Sequence, residues 1–327
     1  MPENQWSENK RPTSEPPAEG LRRVIAAVEY NGQRYFGWQR QPDPNTPGVQ
    51  NFVEQALSAV AAEPILSVCA GRTDSGVHAT RQIIHFDSSA HRQPRQWKLG
   101  ANANLPADIR LRWVEEGAAE FHARFSATAR RYVYIIDNRP VKPGLYSGMH
   151  SWCREPLDAN IMHAEAQSLI GEHDFSSFRA AGCQSKSPVR RVLAVDVHRS
   201  RHLVVVDIMA NAFLQHMVRN IAGVLMAVGS GKQALGWTEQ VLRIRDRTKG
   251  GVTALPDGLY FVGIDVIGGK LVEVNVMSPG GITYINKVYK LKAKIEEKVI
   301  DFLEMKVLDK LQAFDRRARL RREVEDA

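Results

Sequence analysis

The sequence predicts an α+β protein assembled from two similar-sized blocks of strands and amphipathic helices. Three observations carry this expectation. Short runs rich in Val, Ile and Tyr, bounded by Gly, Pro and Asn, alternate with stretches whose apolar residues recur at three- and four-residue steps. No steady strand–helix–strand rhythm connects them, which argues against a doubly wound parallel sheet. The 327 residues are 43% hydrophobic, enough to bury a core, and at roughly 100–200 residues per domain they suggest two domains or one composite unit.

The elements follow in order. Residues 1–20, MPENQWSENKRPTSEPPAEG, are polar, lack the apolar centre of a signal peptide, and read as a disordered leader. The first block spans 21–118. RRVIAAVEY (Arg22–Tyr30) reads as a strand ending at the Asn31-Gly32 turn signal. The Pro- and Gly-containing Gln39–Gly48 is a loop, and Val49, Phe52, Val53, Ala56, Leu57 and Val60 make an amphipathic helix stopped by Pro64. A loop at Ala70–Val77 leads into a strand at Gln82–Phe86, and another strand is expected at Ile109–Val114. The second block spans 119–267. Arg131–Asp137 alternates, with Tyr132, Tyr134 and Ile136 on one face. A helix at Leu157–Ile170 precedes strands at Arg190–Val197 and Leu203–Met209, joined by a turn through Ser200. A further helix carries Phe213, Met217, Ile221, Val224, Leu225 and Val228 inward, and Leu259–Ile267 is an apolar closing strand. Residues 268–327 form an appended tail dominated by one long amphipathic helix, with Ile295, Val299, Phe302, Leu303, Leu311 and Phe314 in helical register.

Composition bounds the function. No stretch approaches the about 18 uninterrupted apolar residues of a membrane span. The three cysteines, Cys69, Cys153 and Cys183, are widely separated, which argues against a disulfide framework or zinc cluster and suits the cytoplasm. Forty-four Lys and Arg against 36 Asp and Glu give a net charge of +8. Such a surplus gathers polyanions, because each neutralised phosphate releases condensed counterions. The basic residues are dispersed through structured segments (Arg72, Arg81, Arg130, Arg131, Arg190, Arg191, Arg219), so the expected partner lies across a folded face.

The stretch most suggestive of chemistry is AGRTDSGVHA (Ala70–Ala79), in which Gly71 and Gly76 bracket Arg72, Thr73, Asp74 and Ser75. Glycine permits tight turns and close approach of another backbone or a ligand. A carboxylate beside a guanidinium stays ionised, and an ionised Asp74 serves as nucleophile or base. An Asp in such a loop is also a common capping residue for turn amides.

GRTDSGVHA resembles the signature of the TruA-type tRNA pseudouridine synthases, usually GRTDAGVHA, with Ser75 in place of Ala. VEYNGQRYFGWQRQ (Val28–Gln41), FHARFSATARRYVYII (Phe121–Ile136), GEHDFSSFRAAGCQSKSPVR (Gly171–Arg190), VVVDIMANAFLQHMVRNIAGVLMAVG (Val204–Gly229) and GLYFVGIDV (Gly258–Val266) resemble further segments of that family, in order, from about Leu21 to Val266. The set is specific where any single motif is weak. The resemblance implies a pseudouridine synthase fold: two related α/β halves with antiparallel sheets and a central active-site cleft. It implies an isomerase acting on uridines 38–40 of the tRNA anticodon stem-loop as a homodimer, without small-molecule cofactor or membrane partner. It places Asp74 at the catalytic aspartate, Tyr132 at the tyrosine that stacks on the target base, Arg219 at the arginine that pairs with the catalytic carboxylate, and Arg72 at the arginine that holds the target nucleotide out of its stack. Periodicity alone puts Arg219 on a solvated helix face and leaves Tyr132, like Tyr134, as a core aromatic. Arg81 stands where the family usually has Gly, a departure beside the catalytic loop.

The tail resembles something else. FVGIDVIGGKLVEVNVMSPGGITYINKVYK is similar to the C-terminal segment of ATP-grasp glutathione synthetases, with Asp265, Glu273 and Asn275 at the spacing of that family's magnesium ligands. Carboxylate and amide oxygens suit Mg²⁺, but no upstream nucleotide-binding lysines, hinge or glycine-rich loop accompany them. The segment therefore reads as a fused fragment. An ATP-dependent ligase and a non-catalytic tRNA-binding module are the competing functions.

Overall fold

The Val-, Ile- and Ala-rich segment Arg22–Tyr30 forms strand β1, buried along both of its faces from Arg23 to Val28. β1 pairs antiparallel with β3 (His78–Ser88) on one side and with β4 (Ile109–Glu116) on the other. The computed structural model describes residues 15–265. The remaining strands are β2 (Val68–Cys69), β5 (Ala129–Asp137), β6 (Ser151–Trp152), β7 (Gly171–Asp174), β8 (Val189–Ser200), β9 (Leu203–Ala210) and β10 (Leu259–Asp265). The helices are α1 (Val49–Ala61), α2 (Pro94–Asn104), α3 (Ala159–Ala166), α4 (Met217–Gly229) and α5 (Trp237–Ile244).

All ten described strands belong to a single sheet of order β4-β1-β3-β10-β5-β9-β8-β7, with β2 beside β3 and β6 beside β5. The antiparallel strands of the two halves are thus continuous, a feature the sequence reading did not contain. The last of the described strands makes the joint. β10 runs parallel to β3, with Tyr260 opposite His78 and Phe261 opposite Ala79, and antiparallel to β5, with Phe261 opposite Tyr132. With both edges paired, the strand buries Leu259 and Phe261 on its inner face and leaves Tyr260 and Val262 half-buried on the other. In the outer strand β8 the pattern relaxes to alternation, with Val192, Val195 and Val197 buried between more exposed neighbours.

Most predicted elements occur, with shifted ends. The helix expected over Leu157–Ile170 is shorter: Asp158 caps it by accepting from the amides of Asn160 and Ile161, and a 3₁₀ turn at Gln167–Leu169 finishes it. The turn between β8 and β9 is made one residue beyond Ser200, by Arg201 with φ 53°. Phe213 is not on the following helix as expected. α4 starts at Met217 because His216 has φ 62°, outside helical space, and Phe213 turns instead onto the Tyr132 ring. The short strands β2, β6 and β7 and the helices α2 and α5 were not anticipated. The end of the closing strand at Val266 and Ile267, and the whole tail from 268, lie outside the described residues.

Phe261 is fully buried at the seam and touches Tyr132, with ring centroids 5.1 Å apart. Phe261→Ala removes a filled volume shared by both halves and is expected to cost about 3–5 kcal/mol, measured by urea unfolding. A loss below about 1 kcal/mol would show that the halves hold together without it.

Candidate active site

The loop before β3 is fixed by its neighbours at nearly every residue. The amide of Ala70 donates to the Ile83 carbonyl (2.9 Å), and the Gln82 side chain accepts from the Gly71 amide (3.3 Å) and donates to the Gly71 carbonyl. Thr73 is buried, its hydroxyl 2.8 Å from that of Tyr30, and its carbonyl accepts from the Trp38 amide (3.1 Å). That last approach needs Gly37: with φ +82°, a Cβ there would meet the Thr73 carbonyl oxygen at 2.5 Å. The Val77 amide then closes a tight turn on the Asp74 carbonyl (3.2 Å), with Gly76 at φ +79° as its third residue, a position that favours glycine. His78 locks the far end. Its Nδ1 accepts from the Gly32 amide (3.1 Å), so Nε2 carries the proton toward the carbonyls of Gly148 (2.9 Å) and Asp257 (3.1 Å). Burial holds the His78 imidazole below its ordinary pKa, in keeping with a neutral ring.

The turn presents the Asp74 side chain to the start of α4. Oδ2 stands 3.8 Å from Nη1 of Arg219 and 3.5 Å from Nε2 of His216. Among the described residues Oδ1 has no partner. Arg219 is itself anchored: Nε donates to the Ala254 carbonyl (2.8 Å), and the Ala254 amide returns a bond to the Arg219 carbonyl (3.1 Å). Its side chain is only 14% exposed, so the solvated position that periodicity suggested is replaced by an inward one. The cause is the segment at 250–255, which covers this face of α4 and lies outside any helical periodicity. Gly223 admits that cover, since a Cβ there would lie 1.8 Å from the Val252 carbonyl oxygen.

Tyr132 lies beneath the loop. A Cβ on Gly71 would stand 3.8 Å from the Tyr132 hydroxyl and 3.6 Å from the Phe261 ring. The Tyr132 ring meets Phe213 edge-on at 5.0 Å and Phe261 at 5.1 Å. Burial, reinforced by the Asp74 charge, raises its phenol well above the ordinary value, so it remains neutral at physiological pH. Tyr134, the competing core aromatic, is fully enclosed, and its hydroxyl meets Ser151 (2.5 Å) and the Leu255 carbonyl (2.8 Å).

Arg72 is exposed and forms no ion pair with Asp74; the cation beside the carboxylate is Arg219, the pairing that the resemblance implies. Arg72 acts instead on Cys69, whose thiol is pushed up to about 11 by burial while Arg72 and Arg124 pull it down. Arg81 occupies a bulge, where two residues of β3, Thr80 and Arg81, lie against one of β1, Glu29. Its φ is not positive, so a side chain is accommodated there without strain. His216 was missed as a site residue. Burial lowers its imidazole pKa, the Asp74 carboxylate acts in the opposite direction, and Arg219 and Arg247 add to the lowering. A positive φ on a non-glycine residue leaves no mark in a sequence.

Several of the dispersed arginines are structural. Arg131 is 12% exposed and forms a bidentate pair with Asp207, and Arg130 donates to the carbonyls of Ala70, Arg124 and Asn211. Of the tail's three candidate ligands, Asp265 ends β10 opposite Ala129, while Glu273 and Asn275 lie outside the described residues. Among the described residues no group of three His, Cys, Asp or Glu side chains is arranged to hold a metal, and no helix is long and apolar enough to cross a membrane.

The family model of the tRNA pseudouridine synthases matches residues 26–126 and 166–265. The chain therefore belongs to the tRNA pseudouridine synthase family, enzymes that isomerise uridine. It is 50% identical over 245 residues to tRNA pseudouridine synthase A of Coxiella burnetii, covering 75% of this chain and 93% of that one. It is 51% identical over 255 residues to the same-named protein of Pseudomonas aeruginosa, covering 78% and 89%. With that of Methylococcus capsulatus it shares 53% over 242 residues, covering 74% and 89%. The matched family residues end at 265, ahead of Glu273 and Asn275.

Gly223→Ala is expected to destabilise the protein by about 1–3 kcal/mol through overpacking and to lower turnover by displacing the segment that holds Arg219. Thermal unfolding and a uridine isomerisation assay check this against Gly144→Ala, where a Cβ meets nothing within 4 Å. Equal behaviour of the two variants would remove the argument for close approach.

Proposed function

We propose that this chain converts uridine to pseudouridine at positions 38–40 of the tRNA anticodon stem-loop, with Asp74 as the catalytic carboxylate. The observation that carries the reading is a half-buried carboxylate on a rigid turn, one oxygen beside Arg219 and His216 and the other without a partner among the described residues. The reaction breaks the N1–C1′ bond, turns the base and joins C5 to C1′. Attack at C1′, addition at C6 and removal of the C2′ proton all begin from an aspartate oxygen acting as nucleophile or base. The reaction needs no redox partner or group donor, and the reading assigns it no cofactor.

The target base must leave its stack, at a cost of a few kcal/mol. Tyr132 on β5 supplies an aromatic surface backed by Phe213 and Phe261, and the reading assigns to Arg72, exposed on the Asp74 loop, the task of holding the nucleotide out of its stack. RNA recognition rests on shape and phosphates, since the deep groove of A-form RNA hides its base edges. The proposed working form is a cytoplasmic homodimer.

Asp74→Asn preserves size and turn-forming capacity but replaces a base and nucleophile with an amide. Pseudouridine formation on unmodified tRNA should fall by several orders of magnitude, with tRNA affinity and unfolding temperature nearly unchanged. Turnover close to the parent rate would leave Asp74 as a turn residue only.

Binding should also weaken steeply with salt, because phosphate contacts release counterions. The slope of log affinity against log salt measures how many phosphates are engaged. A slope near zero would exclude the basic surface as the tRNA platform.

A further inference from the structure

His216 holds a backbone conformation that its own helix does not ask for. It precedes Met217, the first residue of α4, where extended backbone is the rule, yet it has φ 62° and ψ 3° and its side chain caps no amide. Left-handed geometry costs of order 1–3 kcal/mol for a non-glycine residue and persists only when its surroundings impose it. The surroundings are tight: Leu214 and Met217 are buried on either side, and the Gln215 carbonyl accepts from the Ala180 amide (3.0 Å). The result is that the imidazole leaves the helix surface and reaches the carboxylate, Nε2 to Oδ2 of Asp74 at 3.5 Å.

Arg219 approaches the same oxygen from the next turn of the helix. Among the described residues the nearest nitrogens of His216 and Arg219 both face Oδ2 and no hydrogen bond reaches Oδ1, which makes the two carboxylate oxygens unequal. We propose that His216 is a positioning residue which, with Arg219, ties down Oδ2 and so aims Oδ1 at the flipped uridine. The contact at 3.5 Å is long for a hydrogen bond, as such contacts often are before substrate closes a site. The carboxylate faces His216 and Arg219 from α4, while Arg247 acts on His216 from the segment beyond α5 and Tyr132 faces Asp74 from β5. This inference rests on Asp74 being the catalytic group.

Strain separates a positioning role from a structural one. His216→Gly relieves the left-handed penalty, so the unfolding temperature should be unchanged or higher, while kcat falls about 10- to 100-fold, the scale of a misplaced reacting group, and KM for tRNA stays within about twofold. His216→Asn tolerates the same backbone and offers an amide donor, so it should recover part of the lost kcat. The parent protein is assayed on the same tRNA. Without parent turnover the pseudouridylation reading fails. With parent turnover, an undiminished Gly variant overturns the role of His216 alone, as does a kcat loss that tracks a falling unfolding temperature in both variants.

Discussion

The strand β10 is the constraint on which the rest of the structure depends. It is the last described element in the chain and the centre of the sheet, parallel to β3 from the first half and antiparallel to β5 from the second. Without it the halves share no strand pairing, and the loop entering β3 has no fixed relation to the tyrosine on β5. With it, Phe261 packs beneath both Gly71 and Tyr132, and the loop carrying Asp74 is set against the start of α4. The parallel pairing also explains why the chain must be nearly complete before the site exists. Its two contributing strands are separated by some of the longest sequence intervals in the fold, so the entropy of closing that loop precedes any gain from the site's contacts.

The close fit of the site comes more from backbones than from side chains. Gly37 lets one loop sit on the Thr73 carbonyl, and Gly223 lets the segment at 250–255 sit on α4. Both contacts put a carbonyl oxygen close to where a Cβ would be, so sterics require each glycine, and at Gly37 the positive φ requires it as well. The consequence for chemistry is direct. Arg219 is gripped from two sides by Ala254, which leaves only its terminal nitrogens to meet Asp74. A guanidinium restrained in this way loses little further entropy when the carboxylate changes partners during a reaction, which is what preorganised electrostatic stabilisation requires.

Local pattern made much of this legible. The alternation in Arg131–Asp137 identified the buried face carrying Tyr132, Tyr134 and Ile136, and the Gly-bracketed loop around Asp74 was recognisable before any strand order was known. Failures occurred where a residue's environment is supplied by distant chain. Arg219 read as solvated because the covering segment carries no periodic signal linking it to α4. Local order alone sets Arg72 beside Asp74, whereas the cation nearest the carboxylate is Arg219, 145 residues on, which only the family resemblance named. Helices α2 and α5 were missed for a different reason. Each is short and mixes polar with apolar residues, so the burial of Trp97 or Val241 depends on tertiary packing that overrides weak local preference.

Charge is the property in which sequence and structure differ most in meaning. A net surplus of +8 describes the far field that draws a polyanion in, but contacts with phosphate need cations not already committed. Arg131 is locked to Asp207, Arg130 is spent on four carbonyls, and Arg23 joins Asp87 and the Phe121 carbonyl. These guanidiniums tie strands to loops inside the fold, and the flat fork of arginine suits that task better than the point charge of lysine. An arginine count taken from sequence therefore mixes two populations, one that builds the cleft and one that faces its occupant. Arg72 and Arg124 belong to the second. Both are exposed and both act on the Cys69 thiol beside the Asp74 loop, Arg72 from that loop itself and Arg124 from the segment before β5, which places two outward charges near the turn that carries Asp74. Far-field charge draws a polyanion toward the fold, and it is cations of this second kind that remain to meet its phosphates.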